Sequence, residues 1–337
     1  MPEKVVDNPL TRSEFDVTVV THCDSNYLSR ALSLILSLQS HGFMGRIVVF
    51  THDEQAREKL SALAIINLQV YMITDLESQF PEIVEARNNR PTIEYYYCIT
   101  PFLLKYIQIN FPRSLSVYLD ADLYFFLPLS DVLAGFDMSV IAITPHRFTK
   151  ENINLEKYGL FNVGLVCFGT GDVATNILDW WANRCLESTS QELSKGVYGD
   201  QKYLDSFVEI SPGIKILDDS GFNAAPWNLK DSGISEGRVW VESGSGRSNL
   251  VFFHFSGLKR FRLLKLLGFM PFRHKPSRKT KDLIYGPYLE SLKQSELILG
   301  VSSVDTAVLP NLVNIINYIR YRDFMLKIAP SKNLLSQ

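Results

Sequence analysis

The first third of the chain alternates short β-branched runs with segments whose apolar residues recur at helical spacing. Residues 16–21 and 46–51 have the pattern of strands, and each is followed by a helical pattern, at residues 27–41 and 53–63. A third strand-like run follows at residues 68–73. Strands that alternate with helices are typical of a mainly parallel sheet with helices on both faces. The pattern therefore predicts an α/β fold.

The same alternation continues through the middle of the chain and then weakens. An aromatic and aliphatic helix is predicted at residues 92–109, and residues 115–119 predict the next strand. The further predicted elements are a helix start at 131–133, strands at 140–144 and 164–168, a helix at 172–185, and strand-like runs at 239–241 and 250–253. From residue 211 onward, turn residues such as Gly, Asn, Ser and Asp separate these runs.

The character of the chain changes after Gly257. Residues 258–281 carry nine Lys or Arg side chains interleaved with Phe and Leu, and the remainder has the pattern of two or three helices. We therefore predict an α/β domain at residues 1–257 and a basic, mainly helical extension at residues 258–337.

Two carboxylates stand directly after the predicted strand at 115–119, in the run Val117-Tyr118-Leu119-Asp120-Ala121-Asp122. Side chains at i and i+2 of an extended chain project to the same side, so Asp120 and Asp122 can point at one position. Open α/β sheets bind ligands at the carboxyl ends of their strands. Two close carboxylates repel unless a cation or proton lies between them, and hard divalent cations favour oxygen ligands together with substrate phosphates. The pair therefore suits a metal-bound diphosphate, although Asp-x-Asp also arises by chance in loops.

Composition limits the setting in which the protein works. A net charge of −2 gives no reason to expect nucleic acid as a partner. No apolar run approaches the roughly 20 residues of a membrane-spanning helix, and the N-terminal residues lack the pattern of a secretory signal, so we expect a cytoplasmic protein. The four cysteines are widely spread, which favours buried, reduced thiols over disulfides or a zinc site.

Several separate motifs follow one another along the chain. They are the strand and loop at 17–26 followed by Tyr27-Leu28, Tyr118-Leu119-Asp120-Ala121-Asp122, Phe161-Asn162-Val163-Gly164, Gly199-Asp200-Gln201 and His254-Phe255-Ser256-Gly257. In these motifs and their order the chain resembles nucleotide-sugar glycosyltransferases of the GT-A fold, in the glycogenin-like and lipooligosaccharide-galactosyltransferase group (glycosyltransferase family 8) and its bacterial relatives. The resemblance covers residues 17 to 257. It implies a GT-A catalytic domain with hexosyltransferase activity, which transfers a sugar from a nucleotide-diphosphate donor, a UDP-sugar, to a glycan or glycolipid acceptor with retention at the anomeric carbon.

The resemblance also assigns roles to individual residues. It implies that Asp120, Asp122 and His254 bind the metal, and one nitrogen with two carboxylates suits Mn²⁺, with Mg²⁺ as the alternative. The other residues that it places in the site are Thr21 and Tyr27 at the base, Asn162, Asp200 and Gln201 at the transferred sugar, and Lys259 or Arg260 at the diphosphate. Lys105, on the helix before the acidic pair, is a second candidate for the phosphates or the base. The segment 221–229 resembles one in bacterial relatives, and we expect it on the acceptor side.

The family pattern has a lysine six residues after the histidine, often followed by Pro-Trp, and this chain departs from it. Lys259 stands five residues after His254, Arg260 stands six residues after it, and Pro-Trp is missing. Which of the two cations would neutralise the leaving diphosphate is therefore open.

Simpler interpretations stand beside these assignments. Tyr27 is equally a helix-start aromatic packed on the sheet. Asp200 also fits a helix N-cap, which does not exclude a functional role. A lone histidine between aromatics is often a core residue. Lys105 fits a solvated surface lysine. The basic run 258–281 is either a solvated face or a contact with the anionic inner face of the cell membrane, close to a lipid-linked or lipopolysaccharide acceptor.

Other functions also remain open. An inverting glycosyltransferase would need a general base, and Asp200 could serve. A sugar nucleotidyltransferase would be expected to have a glycine-rich phosphate loop after the first strand, and residues 22–27 contain no glycine. A non-catalytic protein that binds nucleotide-sugars would keep the site without using it.

Overall fold

The structure is a computed structural model that describes residues 16–193, 196–261, 266–269, 276–301 and 326–327, with side chains over 16–193, 196–258 and 276–301. The strands are β1 (Asp16–Cys23), β2 (Arg46–Thr51), β3 (Leu68–Met72), β4 (Ser114–Leu119), β5 (Leu123–Phe125), β6 (Ile141–Pro145), β7 (Phe161–Phe168), β8 (Lys215–Ile216), β9 (Asp231–Ser235), β10 (Arg238–Ser243), β11 (Gly246–Asn249), β12 (Phe252–His254), β13 (Leu258–Phe261), β14 (Leu266–Phe269) and β15 (Leu326–Lys327). The α-helices are α1 (Leu28–Ser40), α2 (Glu54–Ser61), α3 (Ile73–Gln79), α4 (Ile83–Asn89), α5 (Thr92–Asn110), α6 (Asp172–Glu187), α7 (Phe207–Ile210), α8 (Arg278–Thr280) and α9 (Gly286–Leu299). Short 3-10 helices lie at Leu129–Asp131, Ile153–Tyr158 and Gln201–Ser206, and a π-helical turn at Lys281–Tyr285 joins α8 to α9.

Seven strands form the central sheet, in the order β3-β2-β1-β4-β7-β6-β8. The strands β1 to β4 run parallel, β7 is antiparallel to β4 and β6, and β8 is parallel to β6. The sheet is therefore mixed and mainly parallel, as the sequence predicts. Because β1, β2 and β4 are parallel, their carboxyl ends meet at one edge of the sheet, with β4 at its centre.

Helices cover both faces of this sheet because its strands are apolar on both sides. Val20 of β1 belongs to a core cluster with Phe102 of α5 and Trp181 of α6. The next residue towards the N-terminus, Val19, belongs to a second cluster with Leu32 of α1. This two-sided burial is what the continuous β-branched runs predict for a sheet between two helical layers.

The chain after the central sheet returns to the acidic loop. β12 pairs antiparallel with the short strand β5, and β9 to β11 form a separate three-stranded meander. A third core cluster joins this part to α9, where the ring of Tyr288 stacks on Phe255 with centroids 3.8 Å apart. The hydroxyls of Ser33 in α1 and Ser291 in α9 are 2.7 Å apart.

The described part of the predicted extension is only partly helical. Besides α8 and α9 it contains β13, β14 and β15, which form a three-stranded antiparallel sheet that the sequence pattern did not predict. Residues 276–301 pack against the preceding part of the chain, and the proposed domain boundary after residue 257 stays a prediction.

Two expectations about the cysteines and the membrane can be compared with the structure. All four cysteines are buried and unpaired, which confirms the expectation of reduced thiols. Among the described residues, no helix combines the length and apolar character needed to cross a bilayer.

Candidate functional site

The two carboxylates lie in a loop that is held from both sides. Every residue of β4 is buried, and the strand ends at Leu119, immediately before Asp120. The backbone amide of Asp120 donates to the carbonyl of Gly164 in β7 (2.9 Å), and the carbonyl of Asp122 accepts from the amide of Phe255 (3.0 Å). These bonds fix the loop between β4 and β5 so that both carboxylates converge beyond the strand end, as predicted.

His254 comes to the same point from the far end of the sequence. It is the last residue of β12, where it pairs with Leu123 of β5 and donates its amide to the carbonyl of Ala224 (2.8 Å). Its Nε2 lies 3.1 Å from Oδ1 of Asp122 and 3.4 Å from Oδ2 of Asp120. The three side chains offer one ligand atom each, all within 4.8 Å of one another. One imidazole nitrogen with two carboxylate oxygens is a donor set that fits Mn²⁺ or Mg²⁺.

Burial and mutual attraction govern the charges in this cluster. Burial raises the pKa of Asp120, and the adjacent charge of Asp122 adds to this effect. Burial alone would also raise the pKa of Asp122, but the charge and hydrogen bond of His254, together with the charge of Arg30, hold it below the ordinary value. The pKa of His254 is raised by the two carboxylates although burial opposes this. A cation that replaced the imidazolium proton would meet two carboxylates already aimed at it.

Asn162 and Gly164, predicted near the transferred sugar, lie inside the fully buried strand β7. The side-chain oxygen of Asn162 accepts from the amide of Gly164 (3.0 Å) and lies 3.1 Å from Nδ1 of His254. The amide nitrogen of Asn162 lies 3.4 Å from Nε2 of His146. The structure therefore brings Asn162 directly behind the candidate metal ligand.

Asp200 is buried at the start of the 3-10 helix Gln201–Ser206. It occupies the N-cap position, and its side chain makes no capping hydrogen bond. Burial raises the pKa of its carboxyl to about 7, with the charge of Asp120 adding to the effect and a hydrogen bond with Thr100 opposing it. The side-chain amide of Gln201 donates to the carbonyl of Tyr158 (3.1 Å). Asp200 therefore lies within electrostatic reach of the cluster, while Gln201 ties down a neighbouring loop.

The predicted base-binding residues lie at the end of β1 and the start of α1. Thr21 is fully buried, and its hydroxyl has no hydrogen-bond partner among the described residues. Tyr27 is 42% exposed, and the guanidinium of Arg30 lies over its ring, 4.5 Å from the centroid. The roles of Thr21 and Tyr27 at the base stay predictions.

The three residues predicted to bind the phosphates, Lys105, Lys259 and Arg260, lie in two different parts of the structure. The ammonium of Lys105 forms a salt bridge with Asp179 of α6 (2.7 Å), between two helices of one layer. The backbones of Lys259 and Arg260 lie in β13, opposite Gly268 and Leu267 of β14, and their side chains lie outside the described part. The structure therefore leaves the choice between these two cations open.

Arg30 is a site residue that the sequence analysis missed. It is buried, donates to the carbonyl of Leu258 at the start of β13 (3.1 Å), and is one of the charges that lower the pKa of Asp122. Its signal in the sequence is an arginine one helical turn after Tyr27, the single charged residue of α1. That signal is weak, because solvated arginines are common on helices.

Two aromatic residues, Tyr118 and Trp227, contact the cluster in ways that the sequence analysis did not predict. The hydroxyl of Tyr118 donates to Oδ1 of Asp120 (2.8 Å) from the end of β4. Trp227 packs its ring edge to face against His254, with centroids 5.2 Å apart, and donates from Nε1 to the carbonyl of His146 (2.9 Å). The segment 221–229, expected on the acceptor side, therefore packs through Trp227 against the candidate metal ligand His254.

The chain was compared with known sequences and with solved structures. No protein-family model matches the chain. Two uncharacterised proteins of Bacillus subtilis (strain 168) are similar to it: YfnF is 28% identical over 79% of this chain and 88% of its own length, and YfnD is 26% identical over 80% and 86%.

A solved structure of the galactosyltransferase LgtC, in complex with donor and acceptor sugar analogues, matches with a TM-score of 0.52 at 14% identity. The match covers 82% of this chain and 96% of that one. At this identity the likeness concerns the fold alone. The chain therefore has the GT-A glycosyltransferase fold.

Proposed function

We propose that this chain is a metal-dependent hexosyltransferase that transfers a sugar from a UDP-sugar to a glycan or glycolipid acceptor, with retention at the anomeric carbon. The observation that carries the proposal is the convergence of Asp120, Asp122 and His254 beyond the carboxyl end of β4 in a GT-A fold. Three side chains from two distant parts of the sequence meet there, which chance Asp-x-Asp pairs do not explain.

The metal site would bind the diphosphate of the donor. Asp120, Asp122 and His254 would hold Mn²⁺ or Mg²⁺, which neutralises the charge that develops on the leaving nucleoside diphosphate. Arg30 adds a buried positive charge on the same side, near Asp122. Lys259 or Arg260 follows directly after Leu258, whose carbonyl Arg30 binds, and would supply a further cation for the phosphates.

The donor would extend from the end of β1 to the buried carboxyl of Asp200. Tyr27, which is 42% exposed, would contact the base through its ring, and Thr21 would contact it through backbone groups. Asp200, electrostatically coupled to Asp120, would contact the transferred sugar. The acceptor would be a glycan or glycolipid, since LgtC, which shares the fold, is described with donor and acceptor sugar analogues.

The same carboxyl group bears on the alternative, an inverting reaction. An inverting reaction needs a base that faces the acceptor hydroxyl, and Asp200, with a pKa of about 7, is the residue that could serve. In the retaining reaction the leaving diphosphate takes the acceptor proton instead. The anomeric configuration of the product, read by NMR, separates the two reactions.

Release of the nucleoside diphosphate from purified protein tests the proposal. UDP-, GDP- and dTDP-sugars are incubated with Mn²⁺, with Mg²⁺, or with a chelator, and we expect slow, metal-dependent release of UDP. Asp122→Asn should abolish it, whereas Asp282→Asn, which alters an exposed carboxylate in a weak surface pair, should leave it unchanged. Metal-dependent UDP binding without hydrolysis or transfer to any acceptor would favour a non-catalytic binding protein. Formation of a nucleotide-sugar from a sugar phosphate and UTP would identify a nucleotidyltransferase.

A further inference from the structure

The candidate metal ligand His254 is backed by a chain of buried hydrogen bonds. Nδ1 of His254 lies 3.1 Å from the side-chain oxygen of Asn162, and the side-chain nitrogen of Asn162 lies 3.4 Å from Nε2 of His146. All three residues are buried. Asn162 was expected at the transferred sugar, but its oxygen and its nitrogen both face protein groups.

The orientation of the Asn162 amide is fixed by the backbone. The N–H of Gly164 can only donate, so the atom of Asn162 that it meets at 3.0 Å must be the oxygen. That oxygen cannot donate to Nδ1 of His254, so Nδ1 must carry the proton. The nitrogen of Asn162 then faces His146, whose pKa burial lowers to about 3, so that its neutral ring can accept.

This arrangement selects one tautomer of His254. With the proton held on Nδ1, the neutral imidazole has its lone pair on Nε2, the atom that faces Asp122 and Asp120. Histidines that bind metals generally donate their other ring N–H to a fixed oxygen, which sets both the tautomer and the orientation of the ring. Asn162 supplies that oxygen here.

Gly164 completes the arrangement by its lack of a side chain. A Cβ at this position would lie 2.6 Å from the side-chain oxygen of Asn162 and 2.7 Å from Nδ1 of His254. Neither partner can move away easily, because both are buried. The Asn-x-Gly spacing therefore lets the hydrogen bond between β7 and β12 form.

We infer that Asn162 is a positioning residue for the metal site, holding His254 in the Nδ1–H tautomer with its Nε2 directed at the cation, and that Gly164 leaves the space for this contact. The inference rests on the proposed metal-dependent function. It differs from a role at the sugar because it places the effect of Asn162 in metal affinity, before any sugar is bound.

Titration of Mn²⁺ in the absence of nucleotide, followed by electron paramagnetic resonance, tests the role of Asn162. Asn162→Leu removes the acceptor and should weaken Mn²⁺ binding about 10- to 100-fold. Asn162→Asp keeps an oxygen towards His254 and should bind Mn²⁺ at least as well as the wild type. Unchanged Mn²⁺ affinity in both variants would overturn the inference, because it is what a contact with the sugar predicts. Equal weakening in both variants would also overturn it, because a purely structural role predicts no rescue by aspartate.

Gly164→Ala tests the steric part without removing any polar group. It should also weaken Mn²⁺ binding, while Gly171→Ala, where the added Cβ meets only ordinary contacts at 3.7 Å, should not. Wild-type affinity in Gly164→Ala would contradict the steric argument.

The wild-type protein provides a test that does not depend on the folding of any variant. With saturating Mg²⁺ and UDP, the ¹⁵N NMR signals of His254 should show a protonated Nδ1 and a metal-bound Nε2. A proton on Nε2 would overturn the inference. Failure of the wild type to bind any divalent cation would instead remove the proposed function, so the two failures are distinguishable.

Discussion

Single residues in this chain combine structural and chemical roles that the sequence alone does not separate. Asp120 and Asp122 could be assigned as a pair because strand geometry fixes the direction of side chains at i and i+2. The contact between Asn162 and His254 could not be predicted, because it depends on how β7 and β12 lie relative to β4. The end of β7 and the start of β12 are 84 residues apart in the sequence. Arg30 was missed for the same reason, because its partners Leu258 and Asp122 are distant from it in the sequence.

The buried carboxyl of Asp200 predicts a pH-dependent stability. Its folded-state pKa is raised from 3.8 to about 7, so the folded protein favours the neutral form. Its contribution is therefore fully favourable below pH 4 and is lost as the pH rises through 7. Relative to Asp200→Asn, the metal-free wild type should lose up to about 4 kcal/mol between pH 4 and pH 8, since one pKa unit corresponds to about 1.4 kcal/mol.

Denaturant unfolding of both proteins with a chelator present, from pH 4 to pH 8, measures this difference. Parallel stability curves for the wild type and the variant would show that Asp200 ionises normally in the folded protein.

The exposed ring of Tyr27 predicts a graded effect on nucleotide affinity. Stacking of a base on an aromatic ring contributes about 1–3 kcal/mol, so Tyr27→Ala should weaken UDP binding about 5- to 160-fold. Tyr27→Phe keeps the ring and should bind UDP nearly as the wild type does, as measured by isothermal titration calorimetry with Mn²⁺. Unchanged affinity in Tyr27→Ala would support the alternative, that Tyr27 only packs at the helix start.

At the scale of elements, strong patterns gave correct predictions and short or polar segments did not. β1, β2, β3, α1, α2, α5 and α6 lie where β-branched runs and helical spacing predict them, to within about two residues at their ends. The pattern missed α3 and α4, which are only seven residues each, and β9 and β11, which contain Gly, Ser, Asn or Asp. β7 begins three residues earlier than predicted. The polar Asn162 near its start can be buried in the strand because its side-chain oxygen has a hydrogen-bond partner in His254 of β12.

The packing of α9 predicts that it folds together with the preceding α/β part. Leu292 of α9 is fully buried in the third core cluster, whereas Leu297 of the same helix is 67% exposed. Leu292→Ala should lower the free energy of unfolding by about 2–5 kcal/mol, and Leu297→Ala by less than about 0.5 kcal/mol.

Both variants replace leucine by alanine in α9, so the difference in helix propensity between the two residue types is the same in each and cancels in the comparison. A single cooperative transition at lower denaturant for Leu292→Ala is expected. A separate early transition that leaves the α/β part at wild-type stability would instead support an independent extension beginning after residue 257.

At the scale of the whole molecule, the fold was predictable and the partners were not. The alternation of strands and helices predicts a mainly parallel sheet with helices on both faces, and the resemblance of the separate motifs adds the expectation of a GT-A fold. In the proposed function, side chains around Asp200 and Trp227 would select the donor sugar and the acceptor, and the positions of these side chains follow from packing rather than from any local pattern.

The basic stretch 258–281 predicts contact with anionic membranes. Basic residues near such a surface contribute about 1 kcal/mol each, so the full chain should sediment with vesicles that contain phosphatidylserine and not with neutral vesicles. A charge-reversed variant should lose this binding, with glutamate replacing Arg262, Lys265 and Arg273. A control variant should keep it, with glutamate replacing Arg113, Lys150 and Lys293. Equal binding of both variants would assign the stretch to a solvated face.

The central claim is that Asp120, Asp122 and His254 hold a cation that binds the donor diphosphate. Calorimetric titration of UDP into the wild type and into Asp122→Asn, each with Mn²⁺ and with a chelator, tests it most directly. We expect tight binding only in the wild type with Mn²⁺, and a loss in the variant as large as the loss caused by the chelator. Equal UDP affinity with and without metal, unchanged by Asp122→Asn, would contradict the account.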